Sequence, residues 1–230
     1  PWFDHRLLKV ARFPFALEHL NFYSGQLTAT IREILHKPIK IVVTDLDNTL
    51  WDGVLGEHDL DSFVKTLNGT SLGNKQKNGV ATILADLIGE GYLVAIASKN
   101  DESKVTALFD QLTDFPLKKE DIYQVYANWG PKSESIGEIL KSTGFQEDAL
   151  LYIDDSIFEC LEVKNSYPGI VAINVSEQKN VRRDDFMNMG YFRERLLTRE
   201  DTLRKSSYLV TSQLEGMSES EARIDFLKSL

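Results

Sequence analysis

The sequence predicts an α/β fold in which a parallel sheet is flanked by helices. From residue 40 onwards, apolar strand-like runs alternate with amphipathic segments of helical period, and such alternation is typical of parallel sheets with helices on both faces. The first run, Ile41–Val43, is β-branched without polar alternation, which indicates a strand buried on both faces. Polar residues, most of them acidic or basic, directly follow three of the runs. We therefore expect a Rossmann-like core with a site at one sheet edge.

The predicted elements follow one another as strand, helix, strand along the chain. Each strand is a short apolar run, and each helix shows apolar residues recurring every three or four positions. A glycine or proline closes several of them. Besides 41–43, strands are predicted at Tyr92–Ala97, Ile122–Tyr126, Ala149–Ile153 and Ile170–Asn174, and helices at Asn74–Gly89, Glu102–Leu112, Lys132–Ser142 and Ser156–Ser166.

Two helical segments are predicted to flank this core, which is assigned to residues 38–178. Residues 1–37 form a helical lead-in, which we interpret as packing on the sheet or on an upstream region. Residues 179–230 form a C-terminal extension packed on the core, with one helix from Thr198 to Gln213 and another from Ser218 to Leu230. The lead-in prediction depends on apolar residues at near-helical spacing that end at Pro38, namely Leu17, Leu20, Leu27, Ile31 and Ile34.

Composition narrows the classes of partner. The chain has 230 residues, 42% of them hydrophobic, and a net charge of −9. That charge disfavours a nucleic-acid partner or an anionic membrane surface, and no apolar run reaches the roughly 20 residues that span a bilayer. The chain has a single cysteine, Cys160, so it forms no intrachain disulfide. We expect a cytoplasmic protein.

The most informative motif is Asp-x-Asp-x-Thr, formed by Asp45, Asp47 and Thr49 at the end of the first strand. Two carboxylates crowded there repel each other unless a cation or a shared proton offsets them. One interpretation is a Mg²⁺ phosphoryl-transfer site in which Asp45 attacks phosphorus and Asp47 moves protons. The alternative is a pair of solvated loop acids that follow a core strand.

Three further elements favour the phosphoryl-transfer interpretation. The second strand ends at Ser98, Lys132 begins a helix, and the fourth strand ends in Asp154-Asp155. A hydroxyl and an ammonium can hold phosphate oxygens, and a second carboxylate pair can complete an oxygen shell for Mg²⁺. Each feature alone also fits a helix cap or an exposed side chain. Their fixed order along the chain is much more specific.

This ordered set resembles the haloacid dehalogenase-like (HAD) superfamily, and in more detail its subfamily IIIC, the FkbH-like proteins. The resemblance covers roughly residues 38 to 230. It implies a HAD-like fold and an aspartyl-phosphate enzyme, a phosphatase or phosphotransferase that uses Mg²⁺. Some FkbH-like proteins move a glyceryl unit from 1,3-bisphosphoglycerate to an acyl carrier protein. The segments that carry the resemblance are DLDNTLWDGVLGE, ASKND, NWGPKSESI, YIDDS, LTREDTLRKSSY and FLKSL.

The resemblance also implies roles for individual residues. Asp45 is the nucleophile and Asp47 the general acid/base, and Ser98 and Lys132 hold the phosphoryl group. Mg²⁺ is expected on Asp45, Asp154 and Asp155 and on the backbone carbonyl of Asp47. Substrate contacts are expected from a set beside these positions: Thr49, Trp51, Ser98, Lys99, Asn100 and Asn128. For Trp51, in the short flap segment, a place in the core is the alternative.

Two sequence features bear on the acceptor. The gaps between the flap and the second strand, and between Lys132 and Asp154, are too short for a large cap domain, so the site is expected to be open to a bulky or carrier-tethered substrate. Many FkbH-like proteins carry a cysteine just before the Ser-Lys-Asn segment, whereas this chain has Ala97. A thioester relay needs a thiolate. We therefore expect phosphate chemistry, with glyceryl transfer to a carrier protein or an idle binding module as alternatives.

Overall fold

The computed structural model describes residues 2–69, 78–176, 183–192, 207, 208 and 210. Its centre is a five-stranded parallel sheet with the strand order β3-β2-β1-β4-β5. The strands are β1 Ile41–Thr44, β2 Leu93–Ser98, β3 Val125–Ala127, β4 Leu150–Asp154 and β5 Val171–Asn174. The predicted fold class is therefore confirmed.

Strand β1 occupies the middle of the sheet and pairs with both β2 and β4. Thr44 is level with Ile96 on one side and with Ile153 on the other. Every residue of β1, β2 and β4 is buried. Because alternate residues of a strand point to opposite faces, both faces of the sheet are covered. The three strands therefore end side by side within the core.

The described helices are α1 His5–Ala11, α2 Leu20–Leu35, α3 Leu60–Asn68, α4 Asn78–Gly89, α5 Glu102–Gln111, α6 Lys132–Thr143, α7 Ile157–Ser166 and α8 Arg183–Met187. One face of the sheet packs on α6 and α7 through Ile136, Ile139 and Val163. Gly144 ends α6 in the left-handed conformation at φ 66°, which glycine adopts without strain. Among the described helices, none has the length and apolarity needed to cross a membrane.

The structure differs from the predicted boundaries in a few places. Two helices, α3 and α4, lie between β1 and β2, where the sequence predicted one. Strand β3 begins at Val125 and not at Ile122, because Lys119–Asp121 forms a 3₁₀ turn before it. The predicted helix from Ser218 lies outside the described residues, as does most of the one from Thr198, of which residues 207, 208 and 210 are described and helical. Within that tail, the described Tyr208 donates to the Thr143 carbonyl at 3.4 Å.

The chain divides into two compact units, Pro1–Pro38 with Arg183–Glu194 and Ile39–Arg182 with Arg195–Leu230. The sequence predicts one C-terminal segment from residue 179, and its bounds stay a prediction. In the first unit, Asp4 caps α1 through the backbone N–H groups of Arg6 and Leu7. The predicted apolar stripe of the lead-in is largely exposed: Leu17 64%, Leu20 43%, Leu27 63%, Ile31 46% and Ile34 73%.

Candidate active site

The ends of the three central strands bring three buried polar residues to one edge of the sheet. Asp45 directly follows β1, Ser98 is the last residue of β2, and Asp154 is the last residue of β4. Their exposed fractions are 7%, 3% and 1%. Because β1 pairs with both neighbours, these side chains meet where parallel sheets bind ligands. The predicted convergence of separate motifs is therefore observed.

Lys132 provides the cationic group of this site. It is the first residue of α6 and is 4% exposed. Its Nζ lies 2.5 Å from Oδ1 of Asp45, donates to the Ala97 carbonyl at 2.6 Å, and is 3.6 Å from Oδ2 of Asp154. A buried ammonium needs such partners, so Asp45 and Lys132 hold each other in place.

A side chain from the neighbouring helix fixes the start of α6. Pro131 precedes Lys132 and has no side chain able to cap the helix. Glu162 of α7 accepts a hydrogen bond from the backbone N–H of Ser133 at 3.2 Å and another from its hydroxyl. A carboxylate at this position satisfies a free N–H and complements the helix dipole. Glu162 therefore helps to position Lys132.

The carboxylates of Asp45, Asp154 and Asp155 form a group whose oxygens lie within 4.8 Å of one another. Burial raises the pKa of Asp45 and of Asp154, and the Lys132 ammonium opposes this rise. The Lys132 ammonium contacts two of these carboxylates, those of Asp45 and Asp154. Oxygen ligands at this spacing suit a hard divalent cation. The residues therefore fit the predicted Mg²⁺ site.

Backbone and side-chain bonds hold the two acids at the end of β4. Oδ1 of Asp154 accepts from the Ser156 N–H at 2.7 Å. The Asp155 N–H donates to Oγ1 of Thr49 at 3.0 Å, and its carbonyl accepts from Asn174 at 2.9 Å. Thr49 is 2% exposed and so links the β1 loop to the β4 loop. Its predicted role, to orient Asp47 or to contact substrate, stays a prediction.

Among the described residues, those that donate hydrogen bonds to the Asp47 carboxylate are neutral. Oδ1 accepts from the Trp51 indole N–H at 3.0 Å and from the Leu55 backbone N–H at 3.0 Å. Oδ2 accepts from Nδ2 of Asn100 at 2.8 Å. The side chain is half-buried and does not belong to the group of three carboxylates. The predicted metal contact through its backbone carbonyl stays a prediction.

A tight loop allows these donors to converge on Asp47. Asn48 has φ 55° and Gly53 has φ 96°, a region that asparagine and glycine adopt most readily. The Gly53 N–H donates to Oδ1 of Asn48 at 3.1 Å, and the Asn48 N–H donates to the Gly53 carbonyl at 3.3 Å. The loop thus folds back on itself and brings Trp51 and Leu55 towards Asp47.

Trp51 is buried in the core, and its ring is not exposed at the site. It is 1% exposed, and its ring packs against Phe63, Phe109 and Phe115 at centroid distances of 5.9, 6.4 and 5.9 Å. Its burial favours the core alternative over the substrate contact expected from the resemblance. Its indole N–H donates to Asp47, so its contact with the site is through that carboxylate.

The remaining predicted contacts separate into buried and exposed positions. Asn100 is 3% exposed and donates to Oγ of Ser98 at 3.0 Å as well as to Asp47. Lys99 is partly exposed and pairs with Glu159 at 2.6 Å. Asn128 is exposed and donates to Ser135 at 3.2 Å. Asn100 therefore links the Ser98 hydroxyl to Asp47, whereas Lys99 and Asn128 lie at the margin.

Three supporting residues were not identified from the sequence. Tyr152, Glu162 and Asn174 all contact the ends of β4 or α6 through their side chains. Each lies within a predicted strand or helix, where a polar residue in an apolar run is common. Tyr152 was detectable in principle, because it lies two residues before Asp154 and the same face of a strand repeats every second residue.

Comparison with known proteins identifies similar structures, although no protein-family model and no curated protein matches the sequence. One similar structure is the N-terminal part of a Bacteroides fragilis protein, described as containing a phosphatase domain and complexed with Mg. It is 26% identical with a TM-score of 0.69, and the match covers 84% of this chain and 50% of that one. The chain thus spans about half the length of this similar chain.

More distant matches are described as HAD proteins or phosphatases. A putative HAD subfamily III A hydrolase from Legionella pneumophila is 20% identical with a TM-score of 0.42, over 91% of this chain and 99% of that one. A 3-deoxy-D-manno-octulosonate 8-phosphate phosphatase from Moraxella catarrhalis, in complex with magnesium and phosphate, is 18% identical with a TM-score of 0.39, over 68% and 76%. The chain shares a Rossmann-like α/β fold with the phosphatase domain from B. fragilis.

Proposed function

We propose that this protein is a Mg²⁺-dependent HAD-type phosphatase or phosphotransferase that acts through an aspartyl-phosphate on Asp45. The observation that carries the proposal is the buried contact of Asp45 with Lys132 inside a group of three carboxylates. A carboxylate held at a strand end is oriented for attack, and a fixed ammonium beside it can offset the charge of an incoming phosphoryl group. The similar phosphatase domain from B. fragilis supports the proposal.

In the first step, an oxygen of Asp45 attacks phosphorus and the bond to the leaving group breaks. The departing oxygen takes a proton from Asp47, which enters this step as the carboxylic acid. Neutral donors surround Asp47. These hydrogen bonds hold the carboxyl group beside Asn100, which also donates to the Ser98 hydroxyl. Ser98 and Lys132 hold the phosphoryl oxygens.

In the second step, water attacks phosphorus and gives its proton to Asp47. The bond between phosphorus and Asp45 breaks, which releases phosphate and restores the carboxylate. Another hydroxyl in place of water would make the same step a phosphotransfer. Mg²⁺, when bound on Asp45, Asp154 and Asp155, would supply Lewis-acid stabilisation of phosphoryl charge. The residues of the chain provide the nucleophile, the proton carrier and the positioning.

The test is phosphate release from an aryl phosphate and from 1,3-bisphosphoglycerate, with Mg²⁺ or with a chelator. Asp45→Asn serves as the blank for spontaneous hydrolysis. We expect Mg²⁺-dependent release above the blank on at least one substrate, and release from 1,3-bisphosphoglycerate would support the FkbH-like assignment. A folded wild type that releases no phosphate from either substrate would favour an idle binding module instead.

A second candidate is glyceryl transfer to an acyl carrier protein. Exposed apolar side chains adjoin the site in the chain: Trp129 is 76% exposed, Ile157 51%, Phe158 79% and Leu161 52%. Trp129 lies three residues before Lys132, and the other three lie in the first turns of α7, just after Asp155. Exposed apolar surface next to a site often contacts a ligand or partner, and it supports a bulky or carrier-tethered substrate.

Cys160 bears on whether such a transfer uses a thiol of this chain. It is 4% exposed, and burial raises its pKa to about 12, so the reactive thiolate is scarce at neutral pH. Ala97 replaces the other candidate cysteine. We therefore expect Cys160→Ala to leave phosphate release and any acyl loading of carrier protein unchanged. If this variant lost the acyl loading of the carrier protein but kept phosphate release, a thiol relay through Cys160 would be supported. The intact mass of the carrier protein measures the loading.

A further inference from the structure

Behind the carboxylate group, strand β4 carries a fully buried phenol. Tyr152 lies two residues before Asp154, so the two side chains share one face of the strand. Its exposed fraction is 0%, and its hydroxyl donates a hydrogen bond to Oδ2 of Asp154. The register of β4 therefore places a donor directly on a residue of the proposed cation site.

Different donors hold the two oxygens of Asp154. Oδ1 accepts from the Ser156 N–H at 2.7 Å, whereas Oδ2 accepts from Tyr152. Lys132 is the competing donor for Oδ2, but its Nζ is 3.6 Å from that oxygen and 2.5 Å from Asp45. The tyrosine hydroxyl thus occupies an oxygen that the lysine would otherwise approach, and Lys132 remains with Asp45.

We propose that Tyr152 is a positioning residue that orients Asp154 as a cation ligand and keeps Lys132 on Asp45. This inference rests on the proposed function, because it assumes that Asp154 binds Mg²⁺. Donors in the outer shell of a metal site fix the orientation of the ligands, and losing one typically weakens metal binding by about 10- to 100-fold. Without the hydroxyl, Asp154 is free to turn towards Lys132 and to form an ion pair that competes with the cation.

Tyr123 provides a matched control for a purely structural role. It is also a buried tyrosine of the same core cluster, at 3% exposed. Its hydroxyl donates to Oγ of Ser142 at 3.1 Å, which belongs to the far half of α6 and not to the carboxylate group. Tyr123→Phe and Tyr152→Phe each remove one buried hydroxyl that has a partner. They differ in whether that partner is a proposed cation ligand.

The experiment is a thermal-melting titration with Mg²⁺ on wild type, Tyr152→Phe and Tyr123→Phe. We expect an apparent Mg²⁺ affinity about 10-fold weaker or more in Tyr152→Phe, and an unchanged affinity in Tyr123→Phe, whatever the shift of each variant in metal-free buffer. Equal affinities in the two variants would overturn the proposed role of Tyr152 alone. A wild type that does not respond to Mg²⁺ would overturn the proposed cation site and this inference together.

A second measurement retains the hydroxyl and so does not depend on the stability of Tyr152→Phe. 3-Fluorotyrosine is placed at position 152, or at position 123 as the control, and the ¹⁹F resonance is followed as Mg²⁺ is added. The resonance at position 152 should shift with metal, and that at position 123 should not. An unmoved resonance at 152, in a protein whose melting temperature rises with Mg²⁺, would contradict the role.

Discussion

Asp45 and Asp47 are two residues apart, yet they lie in opposite electrostatic surroundings. Asp45 is 7% exposed and lies 2.5 Å from the Lys132 ammonium. Asp47 is half-buried and accepts hydrogen bonds from an indole, a backbone amide and a side-chain amide. The Lys132 ammonium is therefore fixed on Asp45, whereas three neutral donors orient the Asp47 carboxyl group.

In the proposed mechanism, the two identical side chains have different roles. The nucleophile must remain an anion in order to attack phosphorus, and the proton carrier must alternate between its two forms in each cycle. We propose that the contacts of each side chain, and not its residue type, separate these roles. The predictions below test this separation, beginning with the largest expected effect.

Replacing the nucleophile should give the largest effect. Asp45→Asn is nearly isosteric, but an amide cannot form the acyl phosphate, so phosphate release should fall to the level of spontaneous hydrolysis. The fold should remain, because Lys132 retains the Ala97 carbonyl at 2.6 Å and Asp154 at 3.6 Å. Phosphate release measures the loss of activity, and thermal melting measures whether the fold remains.

Asp61→Asn is the matched control for this change, since Asp61 is an exposed acid in the first turn of α3. It should retain wild-type phosphate release. If Asp45→Asn retained turnover, Asp45 would not be the nucleophile, and the proposed difference in role between Asp45 and Asp47 would be wrong.

Replacing the proton carrier should cost less and depend on the substrate. Asp47→Asn removes general acid/base catalysis, which typically contributes roughly 10²- to 10⁴-fold. Protonation of the leaving group matters most for an alkyl phosphate and least for an aryl phosphate with an acidic phenol. Comparing kcat/KM on the two substrates measures the difference. An equal loss on both would mean that Asp47 does not protonate the leaving group.

Removing one donor from Asp47 should have a smaller effect. Trp51→Phe keeps the aromatic packing but deletes the indole N–H, and one hydrogen bond of ordinary strength corresponds to a roughly 3- to 10-fold lower kcat. The change in KM should be small, because Trp51 is buried. Trp2→Phe, at an exposed tryptophan of the other unit, controls for the substitution. A raised KM with kcat unchanged would indicate a direct substrate contact instead.

The pH dependence of stability should show the smallest effect, and it concerns the buried acids. The pKa values of Asp45 and Asp154 are raised in the folded protein, mainly by burial. Their contribution to stability is therefore complete below the unfolded pKa, near 4, and is lost as the pH rises through the folded values. Metal-free protein should melt at lower temperature as the pH increases through this window.

Mg²⁺ should reverse this loss, since it replaces the protons on the carboxylates. The increase in melting temperature caused by Mg²⁺ should therefore grow with pH over the same window. Melting curves at several pH values, with Mg²⁺ or with a chelator, measure both trends. A Mg²⁺ effect that is constant across the window would contradict a cation bound to these two acids.

The sequence predicts the parts of this site that follow from strand order. Asp45, Ser98 and Asp154 each end an apolar run, and parallel strands end at a common edge, so their convergence was predictable. The partners that separate Asp45 from Asp47 were less accessible. Trp51 reaches Asp47 only because the loop closes at Asn48 and Gly53 with positive φ, and a sequence pattern does not specify where a side chain points.

The links between helices were harder still to predict. Glu162 caps α6 from α7, and Thr49 joins two loops that are 106 residues apart in the chain. Such contacts depend on how helices pack, which periodicity alone does not define. The first residues of β3 and β4 were also predicted too early, because a 3₁₀ turn precedes each of these strands.

The most direct test of the central claim is chemical trapping of the acyl phosphate. The protein is mixed with substrate and Mg²⁺, quenched during turnover and reduced with borohydride, which converts an aspartyl-phosphate to homoserine. Peptide mass spectrometry then locates the product. We expect homoserine at position 45 only, and none when substrate is omitted. Sustained Mg²⁺-dependent turnover with reduction at another acid, Asp47 included, would contradict the assignment of Asp45 as the nucleophile.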